Sequence, residues 1–194
     1  RVHRRQRQMC IRDRVMTASK YSDGPIFCRY PRGEGEGVDF TDIVQDVKIG
    51  KGRIIKKGKD LAILALGTRV GSALKVADHL LQYNLKITVA DARFAKPIDT
   101  QLIEKLWNEH QKLIIIEEGS AGGFSSHCLH LLSSKDLLNK HDKEIKCLTM
   151  PDNFQDHASQ KEQLARAGLD TDGLMKVVSK MISLSNLKNN SITN

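Results

Sequence analysis

No stretch of this sequence is long and apolar enough to cross a membrane. A membrane-spanning helix needs about 20 consecutive apolar residues, whereas the longest apolar runs here, Leu61 to Leu66 and Leu113 to Ile116, are of strand length. The composition, with 40% hydrophobic and 28% charged residues, is ordinary for a globular protein. We therefore expect a soluble protein that has no membrane partner.

Familiar signatures of nucleophilic and phosphate-binding sites are also missing. The sequence has no G-x-S-x-G, no cysteine in a known catalytic signature, and no G-x-G-x-x-G or P-loop. The four cysteines, Cys10, Cys28, Cys128 and Cys147, form no C-x-x-C pair. This pattern indicates free thiols in a reducing compartment, and we expect a cytoplasmic location.

Acidic residues are too few to balance the basic ones, which leaves a net charge of +8. Most of the excess lies in residues 1–14, where six arginines and one aspartate give +5. A protein that binds nucleic acid would instead concentrate positive charge on a folded face or motif. We therefore expect no nucleic-acid partner.

Residues 1–14 show no apolar periodicity. We interpret them as non-native sequence, because they resemble the translation of a sequencing adapter. A targeting segment and a genuine basic arm are the alternatives. The Arg-rich, acid-poor composition suits a transit peptide, but no Ser-rich amphipathic pattern accompanies it. The fold prediction leaves this segment out.

From residue 49 onward, short apolar segments alternate with segments of helical periodicity. Such alternation is typical of a mostly parallel sheet that is covered by helices on both faces. We expect an α/β fold, a three-layer α/β/α sandwich with about five strands, and we place the first strand at an antiparallel edge. The predicted strands are Lys51 to Ile55, Leu61 to Leu66, Ile87 to Ala90, Leu113 to Ile116 and Ile145 to Leu148.

Capping residues predict where several helices begin and end. Thr68 is predicted to cap the helix that follows the second strand, and Pro97-Ile98-Asp99 opens the next helix. Ser159-x-x-Glu162 forms a capping box before a helix that ends at Gly168. The last predicted helix is amphipathic and covers Leu174 to Ile182.

The segment before the sheet is rich in turn-forming residues. A short strand is predicted over Ile26 to Tyr30, followed by an extended linker. Arg32 lies in this linker between a proline and a glycine. A rigid guanidinium suits bidentate recognition of phosphate or carboxylate, so Arg32 is a candidate substrate-binding residue. A solvated or ion-paired surface arginine is the alternative.

Three predicted strands end in polar or glycine-containing segments, and functional residues of open α/β sheets gather at these carboxyl ends. An ion pair at a strand end is the simpler interpretation of Asp91 and Arg93. Glu117 and Glu118 precede a helix, whose N-terminus favours negative charge, so we expect a structural or interface role. The loop Gly119 to Gly123 either cradles an anion through its backbone N–H groups or reverses the chain tightly.

Histidine and cysteine residues gather in one predicted helix. His127 and His130 can share a helix face, and Cys128 lies between them. We see no further ligands at a recognised metal-binding spacing, so no metal site is expected. The adjacent Asp156 and His157 suit a structural hydrogen-bonded pair.

Several segments, taken in order, resemble the 1-deoxy-D-xylulose-5-phosphate synthases, a family of thiamine-diphosphate enzymes in the transketolase superfamily. Each segment is moderately specific by itself, and the ordered set is much more specific. The resemblance extends from Met16 to Ile182. The segments are RYPRG at residues 29–33, IGKG at 49–52, DARFAKPID at 91–99, EEGSAGGF at 117–124, PDNF at 151–154 and AGL at 167–169.

The resemblance implies a domain organisation. Residues 15–45 would hold the end of a pyrimidine-binding domain and a linker. Residues 46–184 would form the transketolase C-terminal domain, and residues 185–194 a frayed polar tail. In the family, thiamine diphosphate and Mg²⁺ are bound mainly by two preceding domains. We therefore expect this fragment alone to be inactive and the intact enzyme to be a homodimer.

The resemblance also implies a reaction. The family condenses pyruvate with D-glyceraldehyde 3-phosphate, releases carbon dioxide, and supplies precursors of isoprenoids, thiamine and pyridoxal. The cofactor performs the carbanion chemistry, so the protein orients the reactants. The second arginine of the family's RYPRG helps to hold the phosphorylated substrate, and Arg32 occupies that position. No catalytic, cofactor-binding or metal-binding residue is assigned to this chain.

Phe27 and Cys28 depart from the family pattern, but both arginines of RYPRG stay in place. Two alternatives remain. One is the C-terminal domain of a 2-oxoacid dehydrogenase E1 beta chain, which shares the fold. The other is a stand-alone interaction module without chemistry. The RYPRG and EEGSAGGF segments favour the synthase.

Overall fold

The computed structural model describes residues 12–30, 47–139 and 142–182. Within these ranges, five strands form one sheet in the order β1-β3-β2-β4-β5. Each predicted strand from residue 51 onward is confirmed, with small shifts of its ends. The strands are β1 (Arg53–Lys56), β2 (Leu61–Ala65), β3 (Ile87–Asp91), β4 (Lys112–Ser120) and β5 (Glu144–Met150).

The sheet is parallel except at one edge. β2 and β3 are parallel, with Leu61 opposite Ile87, and β4 pairs in parallel with β2 and β5. β1 runs antiparallel to β3, with Arg53 opposite Asp91, as predicted for the edge strand. Every residue of β2 and β3 is buried, because helices cover both faces of a parallel sheet.

Two layers of helices enclose the sheet and confirm the three-layer sandwich. α2 and α6 pack on the face that receives Leu61 and Ile63, whereas α3 and α4 pack on the face that receives Ala62 and Leu64. Successive residues of a strand point to opposite faces, so β2 contributes to both cores. The helices are α1 (residues 12–20), α2 (Arg69–Leu80), α3 (Thr100–Glu109), α4 (Phe124–Ser134), α5 (Gln160–Arg166) and α6 (Thr171–Met181).

The predicted helix ends are confirmed at α5 and corrected at α2. Ser159 Oγ accepts a hydrogen bond from Glu162 N at 3.3 Å, and Glu162 Oε2 accepts one from Ser159 N at 2.9 Å. Gly168 follows α5 with a φ of 67°, a conformation that favours glycine at a helix end. Thr68 precedes α2 but its side chain makes no capping bond. Its backbone is helical, with φ −65° and ψ −20°, whereas side-chain capping requires an extended residue.

The strand predicted over Ile26 to Tyr30 is wrong. Residues 21–30 contain no strand, and no strand of the described sheet pairs with them. A strand without a neighbour leaves its backbone groups unpaired and is not stable alone. The linker that holds Arg32 and the predicted frayed tail, residues 185–194, lie outside the described residues.

The segment before the sheet contacts the domain through α1. Thr17 Oγ1 accepts a hydrogen bond from Val47 N at 3.0 Å, and Asp13 is buried. Residues 1–11 lie outside the described ranges, so the interpretation of residues 1–14 as non-native stays a prediction, as do the domain boundaries. No helix within residues 12–30, 47–139 or 142–182 is long and apolar enough to cross a membrane.

Lys143 binds the C-terminal end of α3. Its Nζ donates to the carbonyl oxygens of Trp107 at 2.6 Å, Asn108 at 3.3 Å and His110 at 2.9 Å. The same ammonium group lies 5.6 Å from the centroid of the Trp107 ring. The last carbonyls of a helix have no partner within the helix, and the helix dipole favours a cation there. Lys143 therefore supplies both hydrogen bonds and charge where α3 needs them.

We expect Lys143→Met to lower the free energy of unfolding by about 1–3 kcal/mol, because it removes a charged donor from three carbonyls. Lys75→Met is the matched control, since Lys75 is exposed on α2, and should change stability by less than about 0.5 kcal/mol. Urea unfolding followed by circular dichroism measures both. Equal effects of the two substitutions would contradict the capping role.

Candidate functional site

The three polar segments predicted at strand ends lie side by side at the carboxyl edge of the sheet. In the strand register Asp91 lies opposite Ala65, and Ala65 lies opposite Ile116. Ala92 N donates to Ala65 O at 2.9 Å, and Leu66 N donates to Ile116 O at 3.0 Å. These bonds extend the pairing beyond the strands, so the edge is a continuous surface formed by β3, β2 and β4.

Asp91 ends β3 as a buried carboxylate among arginines. Its oxygens lie 3.6 Å from Arg53 Nε, 3.7 Å from Arg14 Nη2 and 3.9 Å from Arg93 Nε. Asp91 Oδ1 also accepts a hydrogen bond from Arg93 N at 3.1 Å. The ion pair predicted for Asp91 and Arg93 is therefore present. Sequence analysis missed Arg53, which only the antiparallel pairing of β1 brings to this position.

Two of the segments that carry the family resemblance meet at Asp99. Its carboxylate accepts hydrogen bonds from Leu102 N at 3.1 Å and Gly52 N at 3.0 Å, and lies 3.3 Å from Lys51 Nζ. A Cβ on Gly52 would lie 2.5 Å from Leu102 Cδ2 and 2.8 Å from the carbonyl oxygen of Asp91. Gly52 thus lets β1 approach α3 closely. Asp99 caps α3, which begins directly after the predicted opening segment Pro97-Ile98-Asp99, and also holds the IGKG segment.

Glu118, near the end of β4, lies in a second, partly buried network. Its Oε1 accepts hydrogen bonds from Thr68 Oγ1 and from Arg69 Nε at 3.0 Å. Arg69 is buried, and its Nη1 donates to Leu169 O at 2.5 Å. Arg69 therefore connects the ends of β2 and β4 to the segment between α5 and α6. Sequence analysis missed Arg69, although its position directly after a strand end was a usable signal.

The contacts of Glu117 distinguish between anion binding and chain reversal as the role of the loop that follows it. Its carboxylate is buried and accepts hydrogen bonds from Phe124 N at 3.1 Å and Ser125 N at 2.7 Å, the first amides of α4. A Cβ on Gly119 or Gly123 would lie 2.5 or 2.7 Å from Glu117 Oε2. The amides that bind this carboxylate follow the loop, whereas the loop itself reverses the chain, with Gly123 N donating to Ser120 O at 3.2 Å. Its glycines are needed because the loop wraps closely around that carboxylate.

The residues of α4 do not converge on a metal. Within the described ranges, no three His, Cys, Asp or Glu side chains are placed to hold a metal ion. Cys128 is buried, whereas His130 is exposed. Burial raises the pKa of the Cys128 thiol well above its usual range, and Cys147 and Glu117 nearby add to that effect. A thiol kept neutral in this way is a poor nucleophile.

Three further predictions concern the pair Asp156 and His157, the cysteines, and Arg32. Asp156 and His157 are both exposed and no hydrogen bond joins their side chains, so the predicted pair is not formed. The cysteines Cys28, Cys128 and Cys147 are free, as predicted. Arg32 lies outside the described residues, so its role in substrate binding stays a prediction.

Glu117→Ala should lower the free energy of unfolding by about 2–4 kcal/mol, because it leaves two buried amides without an acceptor. Glu117→Gln should recover part of this loss, since it keeps one acceptor oxygen. Glu144→Ala is the control, because Glu144 is exposed on β5, and should have an effect of less than about 0.5 kcal/mol. Chemical denaturation measures all three. A Glu117→Ala protein as stable as the unsubstituted one would show that the loop holds its shape without the carboxylate.

The geometry agrees with two comparisons with known proteins. The family model described as the transketolase C-terminal domain matches residues 50–174. Among solved structures, one described as a split gene transketolase, an inactive beta4 tetramer, superposes with a TM-score of 0.62 and 26% sequence identity. The alignment covers 72% of this chain and 45% of that chain, so this chain spans less than half the length of its neighbour.

The matched residues include the whole sheet, the strand ends with their buried carboxylates, and helices α2 to α5. A match of this extent covers more than half of the chain and every element that builds the carboxyl edge. The chain belongs to the transketolase C-terminal domain family.

Proposed function

We propose that this chain is the C-terminal part of a thiamine-diphosphate-dependent synthase. The synthase condenses pyruvate with D-glyceraldehyde 3-phosphate to 1-deoxy-D-xylulose 5-phosphate in the cytoplasm and releases carbon dioxide. The proposal rests mainly on a contact between two of the segments that resemble the synthases. At Asp99, Gly52 N and Leu102 N donate to one carboxylate. The DARFAKPID and IGKG segments thus form one structural unit on a transketolase C-terminal domain.

The described residues do not fit as a site for Mg²⁺. They contain no group of three metal-ligating side chains, and the carboxylates of Glu117 and Glu118 already accept internal hydrogen bonds. A carboxylate that is committed to backbone amides or to arginine has little capacity left for a metal ion. This supports the proposal that the metal is held by preceding domains.

The assembly of the intact enzyme is proposed from the family resemblance. Phe27, Tyr30 and Phe154 are 93%, 71% and 106% exposed. Exposed apolar side chains mark protein–protein contacts only when they form a contiguous patch, so their exposure does not identify a partner. We propose that the intact enzyme is a homodimer. The split gene transketolase is itself described as a beta4 tetramer, an assembly of several chains.

One comparison of activities distinguishes the synthase from its two alternatives, a 2-oxoacid dehydrogenase E1 beta chain and a non-catalytic interaction module. The full gene product, with two preceding thiamine-binding domains, should form 1-deoxy-D-xylulose 5-phosphate from pyruvate and D-glyceraldehyde 3-phosphate. The 194-residue chain with thiamine diphosphate and Mg²⁺ should release no carbon dioxide from pyruvate. Turnover by the short chain would contradict the proposal that activity requires the preceding domains. A full product that transfers acetyl groups to a lipoyl acceptor instead would indicate a 2-oxoacid dehydrogenase E1 beta chain, and a gene without upstream domains would indicate an interaction module.

In the intact enzyme, Arg32→Ala should raise the KM for D-glyceraldehyde 3-phosphate far more than the KM for pyruvate. Only the first substrate carries a phosphate, whose oxygens an arginine can bind in pairs. Losing such a bond should lower kcat/KM roughly 10- to 150-fold. Steady-state kinetics with each substrate varied in turn measures the difference.

Two further variants test the geometry of this contact. Arg32→Lys should recover only part of the loss, because lysine keeps the charge but not the planar donor pair. Arg29→Ala is the control from the same motif, and should lower stability without discriminating between the substrates. Equal effects of Arg32→Ala on both substrates would leave Arg32 a structural residue.

A further inference from the structure

A small groove lies between α4 and the segment before α3, and no carboxylate lines it. Its volume is about 230 Å³. Four of its lining residues follow a spacing of three, four and seven along α4, which places them on one helix face. The lining residues are Lys96, Ile98, His127, His130, Leu131 and Ser134.

The nitrogen-bearing side chains of the groove are basic, and no acidic residue of the groove balances their charge. No carboxylate lines the groove, and the side chains of Lys96, His127 and His130 form no hydrogen bond or ion pair with any residue of the described ranges. Other lysines of this domain do have carboxylate partners, such as Lys105 with Glu109 at 2.6 Å. Three nitrogen-bearing side chains therefore face one cavity with their donors unused.

We propose that this groove binds a small organic anion. The oxyanion, a phosphate or a carboxylate, accepts hydrogen bonds from Lys96, His127 and His130, because charge-assisted donors are the strong partners of such groups. A short carbon chain packs against Ile98 and Leu131. Ligand pockets measure roughly 300–1,000 Å³, so this smaller groove suits a molecule of a few carbons.

A metal ion fits the same groove less well. His127 and His130 supply two imidazoles, and the other lining residues are a lysine, a serine and two apolar side chains. Structural zinc sites have four protein ligands and catalytic ones three. Lys96 would also repel a cation. The anion proposal does not depend on the reaction of the intact enzyme or on Arg32.

The test is a titration of the 194-residue chain followed by NMR of the histidine rings, at constant mildly acidic pH where imidazoles carry more protons. The probes are n-propyl phosphate, butyrate and inorganic phosphate. Saturable shifts are expected at His127 and His130, but not at His79 or His157, which are exposed outside the groove. A preference for n-propyl phosphate or for butyrate identifies the oxyanion, and inorganic phosphate should bind more weakly than n-propyl phosphate because it has no carbon chain.

Charge-removing variants complete the test. Lys96→Gln and His130→Gln should each weaken binding of the preferred probe roughly tenfold. Lys161→Gln, an exposed lysine of α5 outside the groove, should leave binding unchanged. All three residues are exposed, and an unchanged melting temperature confirms that each variant folds.

Three outcomes would overturn the proposal. The first is the absence of saturation at tens of millimolar probe. The second is equal shifts at all four histidines that persist in Lys96→Gln, which indicates general charge attraction. The third is a response of His127 and His130 to Zn²⁺ but to none of the anions, which identifies a metal site.

Discussion

The carboxyl edge of the sheet depends on the internal pairing of buried carboxylates. Taking a charge out of water is costly unless the charge is paired and hydrogen-bonded. Asp91 has three arginines within 4 Å, and Glu117 has two backbone amides of α4. Each acid thereby joins a strand end to another element. These pairings connect β1 and α4 to the ends of β3 and β4.

This arrangement gives the carboxylates of two family motifs structural roles within the domain. Glycines let backbone segments reach the carboxylates of Asp99 and Glu117, and those carboxylates are then committed to structural bonds. The groove is instead lined by Lys96, His127 and His130 and by no carboxylate. The side chains that build the strand ends and those that we propose to bind a ligand are thus different residues.

Local sequence predicted the elements of this domain well where burial and capping decide them. The continuous apolar run at Leu61 matches a strand that is buried on both faces, and the capping box at Ser159 needs only residues three positions apart. The strand over Ile26 to Tyr30 failed because a strand needs a neighbour, which its own composition does not provide. Thr68 failed as a side-chain cap because its backbone is helical and its hydroxyl donates to Glu118 instead.

The sequence by itself determined the fold class, the order of its elements and the position of the polar strand ends, because periodicity and turn chemistry are local properties. Only the tertiary structure decided how those ends are used. Arg53, Arg69 and Leu169 are far from their partners along the chain, and sheet pairing and helix packing bring them together. The same holds for Glu117, since a glycine loop and an acidic residue in sequence do not reveal that one encloses the other. Long-range packing assigned the carboxylates to structure, and it left a basic groove open to solvent.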